Sequence, residues 1–418
     1  MFFKKIPQIL PSKKIVENLS YVSILEIFVL LAPLITYPYL VRVIGKELYG
    51  FVILAQVLTS YASIIIDFGS NKVCAKHVSI NRDNKEKLSE IISSVLIVRF
   101  ILWFICFFIY ICIVILIQDY KELFILFLIT YFLTLNDVLF PQFFFLGLEK
   151  LKITSILNII IKSFFIITIF FVVKSKDDYL YIPLLYALGY AIAGISSLYI
   201  IFKIMHIKFC IPCCETIYVY VKDSLPIFFT NLLVTIKGKL SYLLIGSFVS
   251  VSNVVIYDLA YKLNNVIGKP TQVISVVLFP QFAKERNVIK FKKATAFTFI
   301  SITILVIILN IFLEEIVHFF INEKIDLFPI RLLSLAPIYH SVGMMISQNL
   351  FVAFGYNKYL LNSIIISISA YVIVLVYYLV AGIKFSLYSF IIMDLLFYSI
   401  DLIYRLIKAK QIIKVLKS

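Results

Sequence analysis

The stretch "TNLLVTIKGKLSYLLIGSF", residues 230–248, is long and apolar enough to cross a membrane as one helix, yet two lysines lie near its middle. A lysine at the centre of a membrane helix costs roughly 2.5–3.5 kcal/mol on insertion scales. No acidic residue within the stretch can offset Lys237 or Lys239. The pattern therefore predicts a membrane helix that faces something other than lipid on at least one side.

The composition places the whole chain in the membrane class. Of its 418 residues, 62% are apolar and only 15% are charged, and the mean hydropathy is +1.02. A soluble fold cannot keep that much apolar surface away from water. We therefore predict an all-α polytopic membrane protein, because the apolar runs are continuous rather than alternating as in barrel strands. We predict twelve spans, at 19–41, 49–72, 91–117, 123–146, 153–173, 179–202, 223–248, 254–280, 294–320, 327–354, 359–381 and 385–404.

The basic residues predict the orientation of these spans. With the N-terminus in the cytoplasm, the inside segments hold 24 of the 39 Lys and Arg residues, and the outside loops hold seven. This bias predicts that both termini are cytoplasmic. The net charge of +16 is thus explained by topology, and we expect no nucleic-acid partner, since there is no soluble domain to carry one.

The two halves of the chain look related. "LGLEKLKITSILNII" begins at Leu146 and "FGYNKYLLNSIIISI" begins at Phe354, an offset of 208 residues, and "CAK" and "FAK" recur at the same offset. Six spans in each half insert the same way up, which predicts two six-helix bundles related by a pseudo-two-fold along the membrane normal. The predicted division is an N-terminal lobe at 1–202, a cytoplasmic linker at 203–222 and a C-terminal lobe with a basic tail at 223–418.

Eight basic residues remain inside the predicted spans and outnumber the clear intramembrane acids; they are Lys72, Arg99, Lys162, Lys237, Lys239, Lys262, Lys269 and Arg331. Residues two apart are separated by about 200° around a helix, so Lys237 and Lys239 cannot point the same way. Both of their faces are partly polar. We predict that at least one of the two, with Lys269 as a further candidate, faces a cavity.

Asp258 and Lys262 lie one helical turn apart. They can neutralise each other, or they can form a coupling site in which a proton or a sodium ion competes with Lys262 for Asp258. Asp67, near the inner end of the second span, is a further coupling candidate. Asp401 and Arg405 have the same spacing near a span end, and we interpret that pair as structural.

Several chemistries are not expected. The cluster "HIKFCIPCC", 206–214, holds metal-capable residue types, but adjacent cysteines rarely bind one tetrahedral ion together and no second cysteine pair exists, so no metal site is predicted. No phosphate-binding loop and no cofactor motif is present. No outside loop exceeds about six residues in this topology, which leaves no domain for sugar transfer, ligation or polymerisation. We therefore expect a transporter rather than an enzyme.

Four stretches resemble the Wzx-type O-antigen flippases, a polysaccharide transporter branch of the multidrug/oligosaccharidyl-lipid/polysaccharide (MOP) exporter superfamily. They are "LITYPYLVRVIGKELYGFVILAQ" at 34–56, "DFGSN" at 67–71, "INRDNKEKLSEIISSV" at 80–95 and "GLEKLK" at 147–152. The likeness runs over essentially the whole chain. By position, Arg42, Asp67 and Arg99 match polar residues of the family, whereas Lys237 and Lys239 match no fixed motif.

The resemblance implies a flippase that moves undecaprenyl-pyrophosphate-linked O-antigen units across the bacterial inner membrane by alternating access through a cationic cavity. It implies membrane lipids as surroundings, and an O-antigen polymerase and a chain-length regulator as partners. On this interpretation the substrate-binding candidates are basic: Lys237, Lys239, Lys269, Lys72, Arg42 and Arg99. The alternative is a cation-coupled multidrug exporter of the same superfamily, which would favour an acidic cavity. An O-unit polymerase or ligase is a third, weaker alternative.

Overall fold

The computed structural model describes residues 13–415, and in that range the chain is almost entirely helical and has no β-strand. Contact density divides it into two units, the first ending at Gly238 and the second beginning at Lys239. The α-helices of the first unit are α1 (Lys13–Ile44), α2 (Lys46–Asp67), α3 (Ser70–Ile80), α4 (Lys85–Leu116), α5 (Gln118–Glu122), α6 (Phe124–Tyr131), α7 (Leu135–Leu139), α8 (Gln142–Gly147), α9 (Leu151–Val172) and α10 (Tyr181–Tyr199).

One long helix, α11 (Cys214–Phe248), runs through the boundary between the units. The helices of the second unit are α12 (Val251–Glu285), α13 (Val288–Ile311), α14 (Leu313–Ile321), α15 (Phe328–Leu333), α16 (Ala336–Ile346), α17 (Asn357–Val380) and α18 (Leu387–Val415). Short 3-10 segments lie at Phe132–Thr134 and Lys176–Leu180, and π-helical turns lie at Ile200–Ile204 and Ser347–Val352.

The helix surfaces are those of a multi-pass membrane protein. Eight helical segments within the described range are long and apolar enough to cross a bilayer. Large apolar side chains stand exposed along them, among them Phe108, Phe171 and Val380. Such continuous apolar exposure is stable only against lipid. The all-α membrane class is thus confirmed; all twelve predicted spans fall on helical segments, and their number stays a prediction.

Three predicted spans are less apolar or shorter than these eight; they lie on α12, on α15 with α16, and on α18, while α1 is apolar over Leu30–Ile44. The helices α12 and α18 carry the acids and bases of the second unit's interior, which lowers their mean hydropathy. Polar residues inside a membrane helix are tolerated when they face protein rather than lipid.

Each unit has its own packed interior. In the first, α1 and α10 pack on α9. Separately, α3 packs on α4 and α8 around buried residues such as Cys74, Ile91 and Phe144. In the second, α16 packs against α12, α13 and α18, and α17 packs on α18, around buried residues such as Met345 and Leu350.

Several predicted spans are interrupted, and two of the breaks have a clear local reason. The second span bends after Asp67, where Phe68 and Gly69 both have positive φ. The fourth is broken at Phe140, whose φ of −108° and ψ of 88° are not helical. Phe140 precedes Pro141, and a residue before proline is disfavoured in the α region.

The segment between α10 and α11 is anchored on α4. Residues 205–213 are not helical. The backbone N–H of Lys208 donates to Ser89 Oγ at 3.0 Å, and that of Cys210 donates to Ser93 Oγ at 3.0 Å. This stretch lies within the predicted cytoplasmic linker, and two serines of α4 hold it in place.

Candidate functional site

The first polar cluster is built on the corner between α2 and α3, which is the "DFGSN" stretch. α2 ends at Asp67, Phe68 and Gly69 have φ of 39° and 80°, and α3 begins at Ser70. Glycine adopts positive φ without steric cost, so it suits the second of these positions. The tight corner places Asp67 and Ser70 side by side, with Ser70 Oγ 3.3 Å from Asp67 Oδ1.

Arg99, on α4, closes this corner. Its side chain is completely buried. Nη2 donates to Asp67 Oδ1 at 2.6 Å and to Ser70 Oγ at 2.6 Å, and Nη1 donates to the backbone oxygen of Asp137 at 2.7 Å. The guanidinium also lies 5.4 Å from the centre of the Phe143 ring. A buried cation needs such compensation, because desolvating it alone is prohibitively costly.

The same corner packs closely on the first half of α11. A Cβ added to Gly69 would lie 2.8 Å from the backbone oxygen of Ser224 and 2.9 Å from the backbone nitrogen of Phe228. Two turns along α3, His77 Nε2 lies 3.4 Å from a carboxylate oxygen of Asp223. The contact between α3 and α11 thus combines backbone proximity at one end with a polar pair at the other.

The second polar cluster lies in the second unit and is centred on Asp394 of α18. Its carboxylate, buried with the rest of the residue, accepts from Ser241 Oγ at 3.0 Å and from the Tyr257 hydroxyl at 2.5 Å. Ser241 is also 2.9 Å from the hydroxyl of Tyr371. Four helices, α11, α12, α17 and α18, therefore contribute to one buried set of oxygen atoms.

Asp258 of α12 forms a neighbouring centre. It makes an ion pair with Lys262, one turn further along the helix, and accepts a hydrogen bond at 3.2 Å from the Tyr242 hydroxyl. Lys239 Nζ lies 5.1 Å from the centre of the Tyr242 ring, and the charges of Asp258 and Lys262 act on it. One carboxylate thus lies among two lysines, which leaves the group with a net positive charge.

A third polar pair lies on α18. Arg405 Nη2 lies 2.9 Å from Asp401 Oδ1, and Arg405 Nε donates to Ser363 Oγ at 3.2 Å. Both charged side chains are buried. The expected pairing of Asp401 with Arg405 is therefore present in the structure.

The predicted substrate-binding residues fall into three environments. Lys237 and Lys239 on α11 and Lys269 on α12 are half-buried, Lys72 and Arg42 are exposed, and Arg99 is fully enclosed. The structure brings Lys239 together with the coupling candidates Asp258 and Lys262. It brings Arg99 together with the coupling candidate Asp67.

Sequence reasoning did not select Asp394, Tyr257, Ser241 or Ser70 as site residues. Asp394 carried one usable signal, since it is an acid inside a predicted span with no basic residue three or four positions away. Such an acid must find partners on other helices. The identities of those partners, 137 and 153 residues away along the chain, are not readable from local spacing.

Chemically, these clusters can hold cations or protons on buried carboxylates and can balance anions with half-buried lysines. Over residues 13–415, no group of three or more His, Cys, Asp and Glu side chains is arranged to hold a metal ion. The six cysteines are free thiols. The oxygen-rich set around Asp394 and the charged group around Asp258 are two polar centres of the second unit on which a function can be built.

The fold is that of the multidrug and toxic compound extrusion (MATE) transporters. The chain superposes on a structure titled "Inward-facing conformation of a multidrug resistance MATE family transporter of the MOP superfamily" with a TM-score of 0.70 and 14% identity, covering 96% of this chain and 99% of that one. An outward-facing MATE transporter matches with a TM-score of 0.59 and 14% identity, over 97% and 95% of the two chains. Identities this low establish the fold alone.

The family is established by sequence. Residues 15–286 match the family described as "Polysaccharide biosynthesis protein", and the chain belongs to it. Two relatives are both named "Putative O-antigen transporter". The one from Escherichia coli (strain K12) is 24% identical over 185 residues, 44% of this chain and 45% of the relative. The one from Shigella dysenteriae is 24% identical over 254 residues, 61% and 64% of the two. The matched stretches thus span about half to two thirds of each relative.

Proposed function

We propose that this protein translocates an oligosaccharide linked to a polyprenyl pyrophosphate, specifically undecaprenyl-pyrophosphate-linked O-antigen units, across the bacterial inner membrane. It works as a transporter by alternating access and catalyses no covalent chemistry. The observation that carries the proposal is the set of half-buried lysines on α11 and α12 in a chain of the polysaccharide biosynthesis family. The names of the two relatives support the choice of an O-antigen substrate.

The physical argument concerns the pyrophosphate. A multiply charged anion cannot enter an apolar region without compensation, since desolvation costs many kcal/mol. Lysine suits this role because its ammonium binds phosphate as a mobile point charge on a flexible stem. Lys237, Lys239 and Lys269 are the residues that we assign to it, with Arg42 and Lys72 at the more exposed positions.

Arg99 takes a different role in this proposal. Its guanidinium already makes hydrogen bonds to Asp67, to Ser70 and to the backbone of Asp137, and it is fully buried. An anionic substrate would have to displace Asp67 to reach it. We therefore propose that Arg99 fixes the corner between α2 and α3, and that the lysines bind the substrate directly.

A proton or sodium gradient drives the transport in this proposal. Asp258, with Lys262 and Lys239 beside it, is the coupling carboxylate that we favour in the second unit, and Asp67 is its counterpart in the first. Binding of a cation at Asp258 would release Lys262 from its ion pair and so raise the positive charge available to the substrate. The O-antigen polymerase and the chain-length regulator are the proposed partners, and both termini are cytoplasmic.

The test is complementation of a strain that lacks its own O-antigen flippase. We expect Lys237→Gln/Lys239→Gln to lower surface O-polysaccharide at least about tenfold while the amount of protein in the membrane stays unchanged, since a loss of about 1.4 kcal/mol in binding is a tenfold effect. The matched control is Lys174→Gln/Lys176→Gln, which removes two exposed lysines with the same spacing from a loop. Full complementation by the first double variant would refute the role of these lysines.

The alternative function, export of cationic drugs, can be tested in the same strain. If expression of the chain raised resistance to cationic dyes without restoring O-polysaccharide, the exporter would replace the flippase as the function. The two functions predict opposite effects of removing positive charge. Loss of Lys237 and Lys239 should slow the transport of an anionic lipid. It should leave the transport of a cationic drug unchanged or make it faster.

A further inference from the structure

The second unit contains an open apolar groove between α13, α16 and α18. Its volume is about 570 Å³. Most of its lining is aliphatic or aromatic, including Phe291, Phe299, Leu402 and Ile413. The helices that form it carry exposed apolar side chains on their outer faces, so the groove opens toward lipid rather than toward water.

Two lysines, Lys292 and Lys410, line the groove and are both exposed. Lys292 lies in the first turns of α13 and Lys410 lies in the last turns of α18. Among residues 13–415, neither has a carboxylate partner. Their neighbours differ, since Lys290 pairs with Glu285 at 2.8 Å and Lys408 donates to Gln411 at 3.1 Å.

The position of these lysines fits the cytoplasmic leaflet. Both belong to segments that the distribution of Lys and Arg predicts to be cytoplasmic, after the eighth and twelfth spans. Anionic headgroups attract basic residues at that surface by about 1 kcal/mol for each residue. Basic pockets between helices on that side are suited to anionic phospholipid headgroups.

We propose that this groove binds one anionic phospholipid of the cytoplasmic leaflet. An acyl chain lies along Phe291, Phe299 and Leu402, and the phosphate lies between the ammonium groups of Lys292 and Lys410. The apolar lining suits an acyl chain, and the two ammonium groups suit the negative charge of the headgroup. This site shares no residue with the substrate-binding candidates Lys237, Lys239 and Lys269, and it does not depend on which substrate is transported.

The experiment uses the purified full-length chain in a neutral detergent, with phosphatidylglycerol or phosphatidylcholine of identical acyl chains added. Native mass spectrometry counts the lipids retained on the protein. We expect phosphatidylglycerol to be retained preferentially. Lys292→Gln/Lys410→Gln should weaken the binding of phosphatidylglycerol roughly 25-fold, because the loss of about 1 kcal/mol for each lysine lowers the affinity about fivefold. The binding of phosphatidylcholine should not change.

The matched control is Lys293→Gln/Lys414→Gln, which removes two exposed lysines of the same helices that do not line the groove. A third variant, Ala296→Trp, fills the groove and should reduce retention without altering charge. Equal loss in the control variant, or unchanged retention in the other two, would overturn the proposal. Preferential binding of undecaprenyl phosphate over phosphatidylglycerol, with the same dependence on the two lysines, would overturn it in favour of the substrate lipid.

Discussion

Arg99 and Asp67 lie 32 residues apart in sequence, and their side chains meet at 2.6 Å with the arginine wholly enclosed by protein. Asp67 is the last residue of α2, and Ser70, the first of α3, shares the same guanidinium. One cation therefore fixes the direction of the chain on both sides of the corner.

Asp67→Asn should destabilise the protein by about 3–5 kcal/mol, because it leaves Arg99 buried without its counter-charge. The measurement is the thermal midpoint of the purified protein in detergent. A double-mutant cycle with Arg99→Gln provides the control, since the second substitution should recover part of the loss. Strictly additive effects would show that the two side chains do not depend on each other.

Gly69→Ala should be more harmful than Gly382→Ala. Both glycines have positive φ, 80° and 64°, so an alanine at either position must adopt the left-handed backbone conformation, which destabilises the folded protein. A Cβ at position 69 would also contact the backbone of α11 at 2.8 Å, whereas nothing lies within 4 Å of one at position 382. We expect about 1 kcal/mol for Gly382→Ala and more than twice that for Gly69→Ala, read from thermal unfolding. Equal losses of stability in the two variants would show that the backbone of α11 leaves room for a Cβ at position 69.

Asp394→Asn and Tyr257→Phe should be strongly non-additive. The carboxylate and the hydroxyl meet at 2.5 Å in the interior of the second unit, so each single change leaves a buried polar atom without its partner at a cost of about 1–3 kcal/mol. The hydrogen bond between them can be lost only once, so the second change should cost less in the single variant than it does in the wild type. Tyr110→Phe, which loses a 3.2 Å contact with Thr59 in the first unit, is the distant control and should add to Asp394→Asn.

Ser89→Ala/Ser93→Ala should loosen the segment between α10 and α11. The two hydroxyls accept the backbone N–H groups of Lys208 and Cys210, and two such hydrogen bonds contribute about 1–3 kcal/mol. Trypsin cleavage after Lys208 in inverted membrane vesicles should then become roughly tenfold faster, because cleavage follows the population of the opened segment.

The control for this prediction is Ser94→Ala on the same helix. The Ser94 hydroxyl donates to the backbone oxygen of Glu90 at 2.7 Å, so this substitution removes a hydrogen bond within α4. It should leave the cleavage rate unchanged. Equal cleavage rates in the wild type and in both variants would argue against the anchoring role of Ser89 and Ser93.

Local spacing revealed some of these contacts and did not reveal others. The Asp258–Lys262 and Asp401–Arg405 pairs follow from a four-residue separation on a helix, and both form. The membrane class followed from apolar runs long enough to span a bilayer. Both inferences need only the geometry of a single helix.

The Arg99 and Asp394 clusters depend instead on which helices pack together. Lys72 lies only five residues from Asp67, but Asp67 pairs with Arg99, and Lys72 is exposed. Nothing in the spacing distinguishes a partner on the next helix from one on the same helix. Tertiary packing decides this, and one sequence carries too little information to reveal it.

The pairing of Asp67 with Arg99 across successive helices has a consequence for biosynthesis. α2 leaves the ribosome before α4, and at about 5–20 residues per second the intervening chain takes about 2–6 s to make. During that interval the carboxylate of Asp67 has no guanidinium to bind, and an acid within a membrane segment is unfavourable on its own. Insertion of the second and third spans together, so that the corner closes before either span is released into lipid, would avoid this cost.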